Sequence, residues 1–183
     1  GTLLIDGSPI SCYGNEMHGE EDMTRAFAES CNAYYAKLGA ELGIEKLTRT
    51  ASQLKFNEEF LMRDMVLYTS TYAPSAKSDY AVGWSAVGQD TDTVTPLHMA
   101  LIAAAIANDG VMPEPKMLFA ARSDQGSVYY KMATGTIGRV IKSDVAKTLR
   151  DLMREAVANG TGRKAAVSGL TVCGKTGTAE VSN

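Results

Sequence analysis

Gly174-Lys175-Thr176-Gly177-Thr178-Ala179-Glu180 is the stretch on which the reading of this chain turns. The apolar run from Leu170 to Gly174 leads straight into it and predicts a short strand. Side chains alternate faces along a strand, so Lys175 and Gly177 fall on one side and Thr176 and Thr178 on the other. Such a strand carries a cation, two hydroxyls and, at Gly177, a backbone that a ligand can approach closely. Lys175 is suited to neutralise a carboxylate, and the threonine hydroxyls to hydrogen-bond it. By itself a Lys-Thr-Gly tripeptide is a weak signal, for which a solvated strand end is the simpler account.

Upstream the pattern is helical. Asp22 caps a first helix over Met23 to Glu29, and a second runs from Asn32 to Leu42, where Gly43 breaks it. A third extends from Ile44 to about Phe56. Asn57 to Asp92 is irregular and is expected to be a long surface excursion. Thr95-Pro96 opens the clearest helix, which looks buried and ends at Asn108-Asp109-Gly110, with Gly110 in the left-handed cap conformation. Val128 to Met132 and Ile137 to Ile141 read as short strands around Thr134-Gly135. Ser143 caps a helix with an apolar stripe of Val145, Leu149, Leu152 and Ala156, closed by Asn159-Gly160. Ser30-Cys31-Asn32 sits at the junction of the first two helices. Ser and Asn are natural capping residues, so taken alone the triplet needs no further role.

In this order the two stretches are more specific. Ser-x-x-Lys, a Ser-Asp-Asn-type triplet and Lys-Thr-Gly form the motif set of penicillin-binding proteins and class A β-lactamases. Ser30-Cys31-Asn32 resembles the second motif of high-molecular-weight penicillin-binding proteins, and Lys175 to Glu180 resembles the third. The flanks agree: His18-Gly19, Thr95-Pro96-Leu97 with its Ala-rich helix, Asn108-Asp109-Gly110, and Glu155 to Gly162 all look like that family. One departure is Gln89-Asp90, where the family usually has Gly after Gln. The first motif is absent upstream of Ser30. The one Ser-x-x-Lys string, Ser52-Gln53-Leu54-Lys55, comes after Ser30, the wrong order. Its Ser52 and Lys55 are expected at the surface, away from the site.

The resemblance implies the three-layer αβα fold of serine D,D-peptidases and β-lactamases. Residues 1–183 are expected to be a partial transpeptidase domain cut at both ends, mostly helical plus the Lys-Thr-Gly strand. It implies a peptidoglycan D,D-transpeptidase that cross-links stem peptides ending in D-Ala-D-Ala through a serine acyl-enzyme, and that β-lactams acylate. Ser30 would relay a proton, Asn32 would hydrogen-bond the donor peptide's amide, and Lys175 would set the field and hold Ser30. Thr176 and Thr178 would bind the terminal carboxylate, with Gly177 between them, and the Thr178 N–H would form half of an oxyanion hole. Without the attacking serine this chain is expected to be inert. The expected location is the outer face of a bacterial cytoplasmic membrane, with the anchor upstream. Open strand edges are expected to recruit a partner fragment or to drive self-association. Rival readings are a D,D-carboxypeptidase or β-lactamase, against which the Ser-Cys-Asn triplet and Thr-Ala-Glu tail argue, and a β-lactam sensor or non-catalytic cell-wall scaffold.

Composition excludes other classes. A net charge of −3 with scattered basic residues offers no field for nucleic acid. No apolar run reaches the roughly 20 residues of a membrane span. Cys12, Cys31 and Cys173 form no CxxC pair, and His18 and His98 lie at no ligand spacing, so no metal and no cofactor are expected. Cys31 and Cys173 are expected to be packed, Cys173 beneath the Lys-Thr-Gly strand, and His98 to be structural.

Overall fold

The computed structural model describes residues 1–59, 68–133 and 135–178. Thr134 and Ala179 to Asn183 of the predicted motifs lie outside them. The chain opens with a hairpin, β1 (Thr2–Ile5) and β2 (Ser8–Ser11), with Leu3 opposite Ile10. Asp6 and Gly7 take φ of 51° and 77°, the paired left-handed conformations that match a two-residue hairpin turn to strand twist. Three helices follow: α1 (Met23–Ala28), α2 (Asn32–Leu42) and α3 (Ile44–Gln53). The Asp22 carboxylate accepts the Arg25 N–H at 2.8 Å, the predicted cap, and Gly43 breaks the chain at φ 81°. α3 stops three residues before Phe56, with Lys55 at φ 76°.

The part of Asn57 to Asp92 that lies among the described residues is not a surface excursion. It contains α4 (Asp79–Ala86), capped by Ser78, with Ala81, Val82, Gly83 and Ser85 buried. α4 packs on α2 so closely that a Cβ on Gly39 would lie 2.2 Å from the Ala86 Cβ. Small residues make this close crossing, and they leave no apolar periodicity to read. Residues 60–67 lie outside the described part of the chain.

α5 (Pro96–Ala107) is capped as expected by Thr95, whose Oγ1 accepts the His98 N–H at 3.2 Å. It buries only one face, through His98, Leu101 and Ala105, while Met99 is half exposed. His98 is structural: its Nε2 lies 2.8 Å from the Leu54 carbonyl and its ring stacks near Phe56. Two ribbons follow. β3 (Val111–Pro113) pairs antiparallel with β6 (Thr136–Arg139), and β4 (Ala120–Arg122) with β5 (Val128–Lys131). Leu101, Ala105, Met112 and Val140 form the core between α5 and the β3–β6 ribbon. The chain then enters α6 (Ser143–Ala158), which begins at Ser143 rather than being capped by its side chain.

The Lys-Thr-Gly segment departs from the sequence expectation. No strand pairs with residues 170–178 among the described residues. A strand exists only through its ladder partners, and here other contacts hold the backbone. The Gly174 N–H donates to the Met153 carbonyl of α6 at 3.1 Å, and Gln89 Nε2 donates to the Thr178 carbonyl at 3.1 Å. With no sheet over it, Cys173 is exposed rather than packed beneath a strand. No described helix is long and apolar enough to cross a membrane.

Candidate active site

α1 and α2 meet at a turn that fixes the position of Ser30. The Ser30 N–H donates to the Phe27 carbonyl at 3.3 Å and the Cys31 N–H to the Ala26 carbonyl at 2.9 Å. This double closure is the Schellman ending of a helix, and it puts its penultimate residue in the left-handed region. Ser30 occupies that position at φ 58°, where glycine is the usual residue. Its hydroxyl does not cap either helix. It accepts a hydrogen bond from Lys175 Nζ at 2.7 Å, across 145 positions of sequence.

Asn32 is likewise not a cap. It is the first residue of α2, and its Nδ2 donates to the Ser11 carbonyl at 3.0 Å, tying the triplet to the end of β2. The amide oxygen is the atom left to meet a ligand N–H.

Lys175 comes to Ser30 from the other end of the chain. Its ammonium sits 5.7 Å from the Phe27 ring centroid and also donates to the Thr176 carbonyl at 3.1 Å. The residue as a whole is exposed, but its tip is recessed against Phe27 and Ser30. That partial desolvation pulls the ammonium below the ordinary lysine pKa. An ammonium has no acceptor, so in this pair the Ser30 oxygen must accept. The Ser30 proton is then available to another acceptor.

Strict alternation does not hold along this segment, because it is not a regular strand here. Lys175, Thr176, Gly177 and Thr178 all line one cleft of about 990 Å³, together with Ser30, Asn32, Trp84 and Gln89. A Cβ on Gly177 would meet nothing within 4 Å, so protein packing does not demand glycine there. Ser52 is exposed at the end of α3, and Lys55 pairs with Glu58 at 3.0 Å; neither lines the cleft.

Three features escaped the sequence reading. Thr161 Oγ1 lies 2.8 Å from Thr176 Oγ1 and 3.2 Å from the Ala28 carbonyl, and its N–H donates to the same carbonyl at 2.9 Å. It links the end of α1 to the Lys-Thr-Gly segment. Beside it, a Cβ on Gly160 would fall 2.2 Å from the Ala28 oxygen, so the close approach requires glycine. Gln89, flagged only for the residue after it, positions Thr178. Asp90 takes φ 65°, which explains why glycine suits that position, and its carboxylate accepts the Ser75 N–H at 2.5 Å. The third is a buried cluster behind the triplet. Ligating atoms of Cys12, His18 and Cys31 all lie within 4.8 Å of one another, although no ligand spacing is visible along the chain. Burial pushes the Cys31 thiol up to about 12, which removes it as a nucleophile.

The geometry can be compared with known proteins. The model of the penicillin binding protein transpeptidase domain matches residues 4–183. Peptidoglycan D,D-transpeptidase PbpA of Mycolicibacterium smegmatis is 32% identical over 158 residues, which cover 86% of this chain and 32% of that protein. The D,D-transpeptidase domain of a peptidoglycan glycosyltransferase from Eggerthella lenta superposes with a TM-score of 0.88 at 32% identity, over 100% of this chain and 48% of that one. Penicillin-binding protein A from M. tuberculosis, as its ceftriaxone acyl-enzyme complex, gives 0.89 at 29% identity, over 99% of this chain and 41% of that one. The chain spans about a third of the length of the curated relatives it matches. Two motifs meeting across the fold, a matching family model over nearly every residue, and high structural similarity agree, and the chain belongs to the penicillin-binding protein transpeptidase domain family.

Proposed function

We propose that residues 1–183 form part of one bacterial transpeptidase domain, and that this part supplies the relay and carboxylate-binding half of a peptidoglycan D,D-transpeptidase site. The observation that carries the reading is the 2.7 Å hydrogen bond from Lys175 to Ser30. Two residues so far apart in sequence converge in an open cleft, with a proton left free on the hydroxyl. Among the described residues the cleft is lined by two serines, Ser11 and Ser30, and neither begins a Ser-x-x-Lys sequence.

In the reaction, the serine oxygen attacks the carbonyl between two terminal D-alanines and gives up its proton to a base. An ester forms, the C–N bond breaks, and the departing D-alanine amine takes a proton. Ser30 is placed to deliver that proton, because its oxygen is already held by Lys175. An amine of a second stem peptide then attacks the ester, loses a proton and releases the serine. Asn32, fixed through Nδ2, offers its amide oxygen to the donor peptide's N–H. The Lys175 charge with the Thr176 and Thr178 hydroxyls suits the terminal carboxylate, and Gly177 leaves room for the peptide backbone. The Thr178 N–H is the oxyanion donor in this scheme. β-Lactams enter the same cleft as mimics of the D-Ala-D-Ala end. The location that goes with this activity is the outer face of the cytoplasmic membrane. The segment 170–178 pairs with no strand among the described residues, which suits strand addition, either by a segment completing the sheet or by a second copy.

Fluorescent penicillin followed by peptide mapping tests the reading. In the full-length protein the label is expected on a serine outside residues 1–183, and this chain expressed alone is expected to stay unlabelled. A label on Ser52 would reject the assignment of the cleft. Rapid turnover of a chromogenic cephalosporin would favour a β-lactamase instead.

A further inference from the structure

Behind the Ser30–Asn32 triplet lies a pocket of side chains that the peptidase reading does not use. Cys12 and Cys31 are 4% and 7% exposed, and their sulfurs are 3.7 Å apart. The His18 side chain is 8% exposed and that of Glu21 4%. His18 Nδ1 stands 3.9 Å from Glu21 Oε2, beyond hydrogen-bond reach. His18 Nδ1 and Glu21 Oε1 are both buried without a hydrogen-bond partner among the described residues. Leaving such groups unsatisfied costs about 1–3 kcal/mol each, so an arrangement that gathers them needs an explanation.

We propose that Cys12, His18 and Cys31, with the Glu21 carboxylate beside His18, form a structural zinc site that clamps the Ser30-Cys31-Asn32 triplet to the β1–β2 hairpin. Sulfur spacing is the first argument. Two zinc–thiolate bonds of roughly 2.3 Å at the tetrahedral angle hold their sulfurs about 3.8 Å apart. A disulfide requires about 2.05 Å. The donor set is the second argument, since two thiolates and an imidazole select zinc over magnesium, calcium or manganese. The ion's own charge deprotonates a coordinating thiol outright, so burial of Cys31 is no obstacle once the metal is bound. Topology is the third. Cys12 directly follows β2, His18 lies on the loop to α1, and Cys31 sits between Ser30 and Asn32. One ion would tie three separate segments behind the relay residues.

The test is native mass spectrometry and metal analysis of the full-length protein purified without added reductant or chelator. One zinc per chain is expected, with both thiols reduced. Cobalt substitution should give a thiolate-to-cobalt charge-transfer band and tetrahedral visible bands. Both the zinc and the bands should be lost in Cys12→Ser and in His18→Gln, and kept in Cys173→Ser. Glu21→Gln should weaken zinc binding by roughly 10–100-fold. Should Cys12→Ser fail to fold, the His18→Gln variant carries the same readout. Stripping the metal should speed hydrogen exchange at residues 26–32. A folded protein with no stoichiometric metal, or one two hydrogens lighter from a Cys12–Cys31 disulfide, would overturn the proposal.

Discussion

Replacing Ser30 by glycine and by alanine should separate fold from function. Ser30 sits at φ 58° in the closing turn of α1, a conformation that costs an L-residue roughly 1–2 kcal/mol and glycine nothing. Its hydroxyl contributes one partly exposed hydrogen bond, worth about 0.5–1.5 kcal/mol net. Ser30→Ala loses the bond and keeps the strain, so it is destabilised by about 1 kcal/mol. Ser30→Gly loses the same bond but relieves the strain, less about 0.4–1 kcal/mol for the greater freedom of the unfolded chain. The glycine variant should therefore be more stable than the alanine variant by about 1 kcal/mol, and close to wild type. Denaturant unfolding of the full-length protein reads this as a shift in midpoint at constant slope. Acylation by penicillin should fall in both variants alike, because both lack the hydroxyl. An alanine variant as stable as the glycine variant would refute the left-handed assignment. Normal acylation in Ser30→Gly would refute the relay.

Two further outcomes follow from the same geometry. Gly160→Ala drives a Cβ into the Ala28 carbonyl, so it should cost about 1–3 kcal/mol and also slow acylation by moving the end of α1 that carries Ser30; unchanged midpoint and rate in that variant would count against the contact. Desolvation holds the Lys175 pKa below that of an ordinary lysine, so its charge, and the carboxylate binding proposed for it, is lost as pH rises through that lowered value. Across the window between the lowered folded value and about 10.4 the unfolded chain binds more protons, so this group makes stability rise with pH there. Lys175→Arg stays charged throughout, and its alkaline limb of acylation should move up or vanish; an identical limb in both proteins would exclude Lys175 as its source.

Local signals with a physical mechanism were legible in the sequence. The Asp22 and Thr95 caps, the break at Gly43 and the Asn32 helix start all appear where turn chemistry put them. α4 was not legible, because Ala81, Gly83 and Ser85 are small residues chosen by a close crossing with α2 rather than by an apolar period. The Lys-Thr-Gly segment was read as a strand from its apolar approach, but strand character depends on ladder partners that a local pattern does not contain. For the site, motif order named Ser30, Asn32 and Lys175. It missed Thr161 and Gln89, whose contacts with Thr176 and Thr178 span 15 and 89 positions. The Cys12–His18–Cys31 cluster was invisible for the same reason: its ligand atoms converge through the hairpin and the α1–α2 turn, not through spacing along the chain.

In the proposed function Lys175 and Ser30 act together as half of an acyl-transfer site. The most direct measurement is the second-order rate of penicillin acylation of the full-length protein, wild type against Lys175→Ala, with unfolding midpoints as the control for structure. Losing one electrostatic partner of this kind is expected to slow acylation by roughly 10²–10³-fold. A folded Lys175→Ala protein that acylates at the wild-type rate would contradict the account.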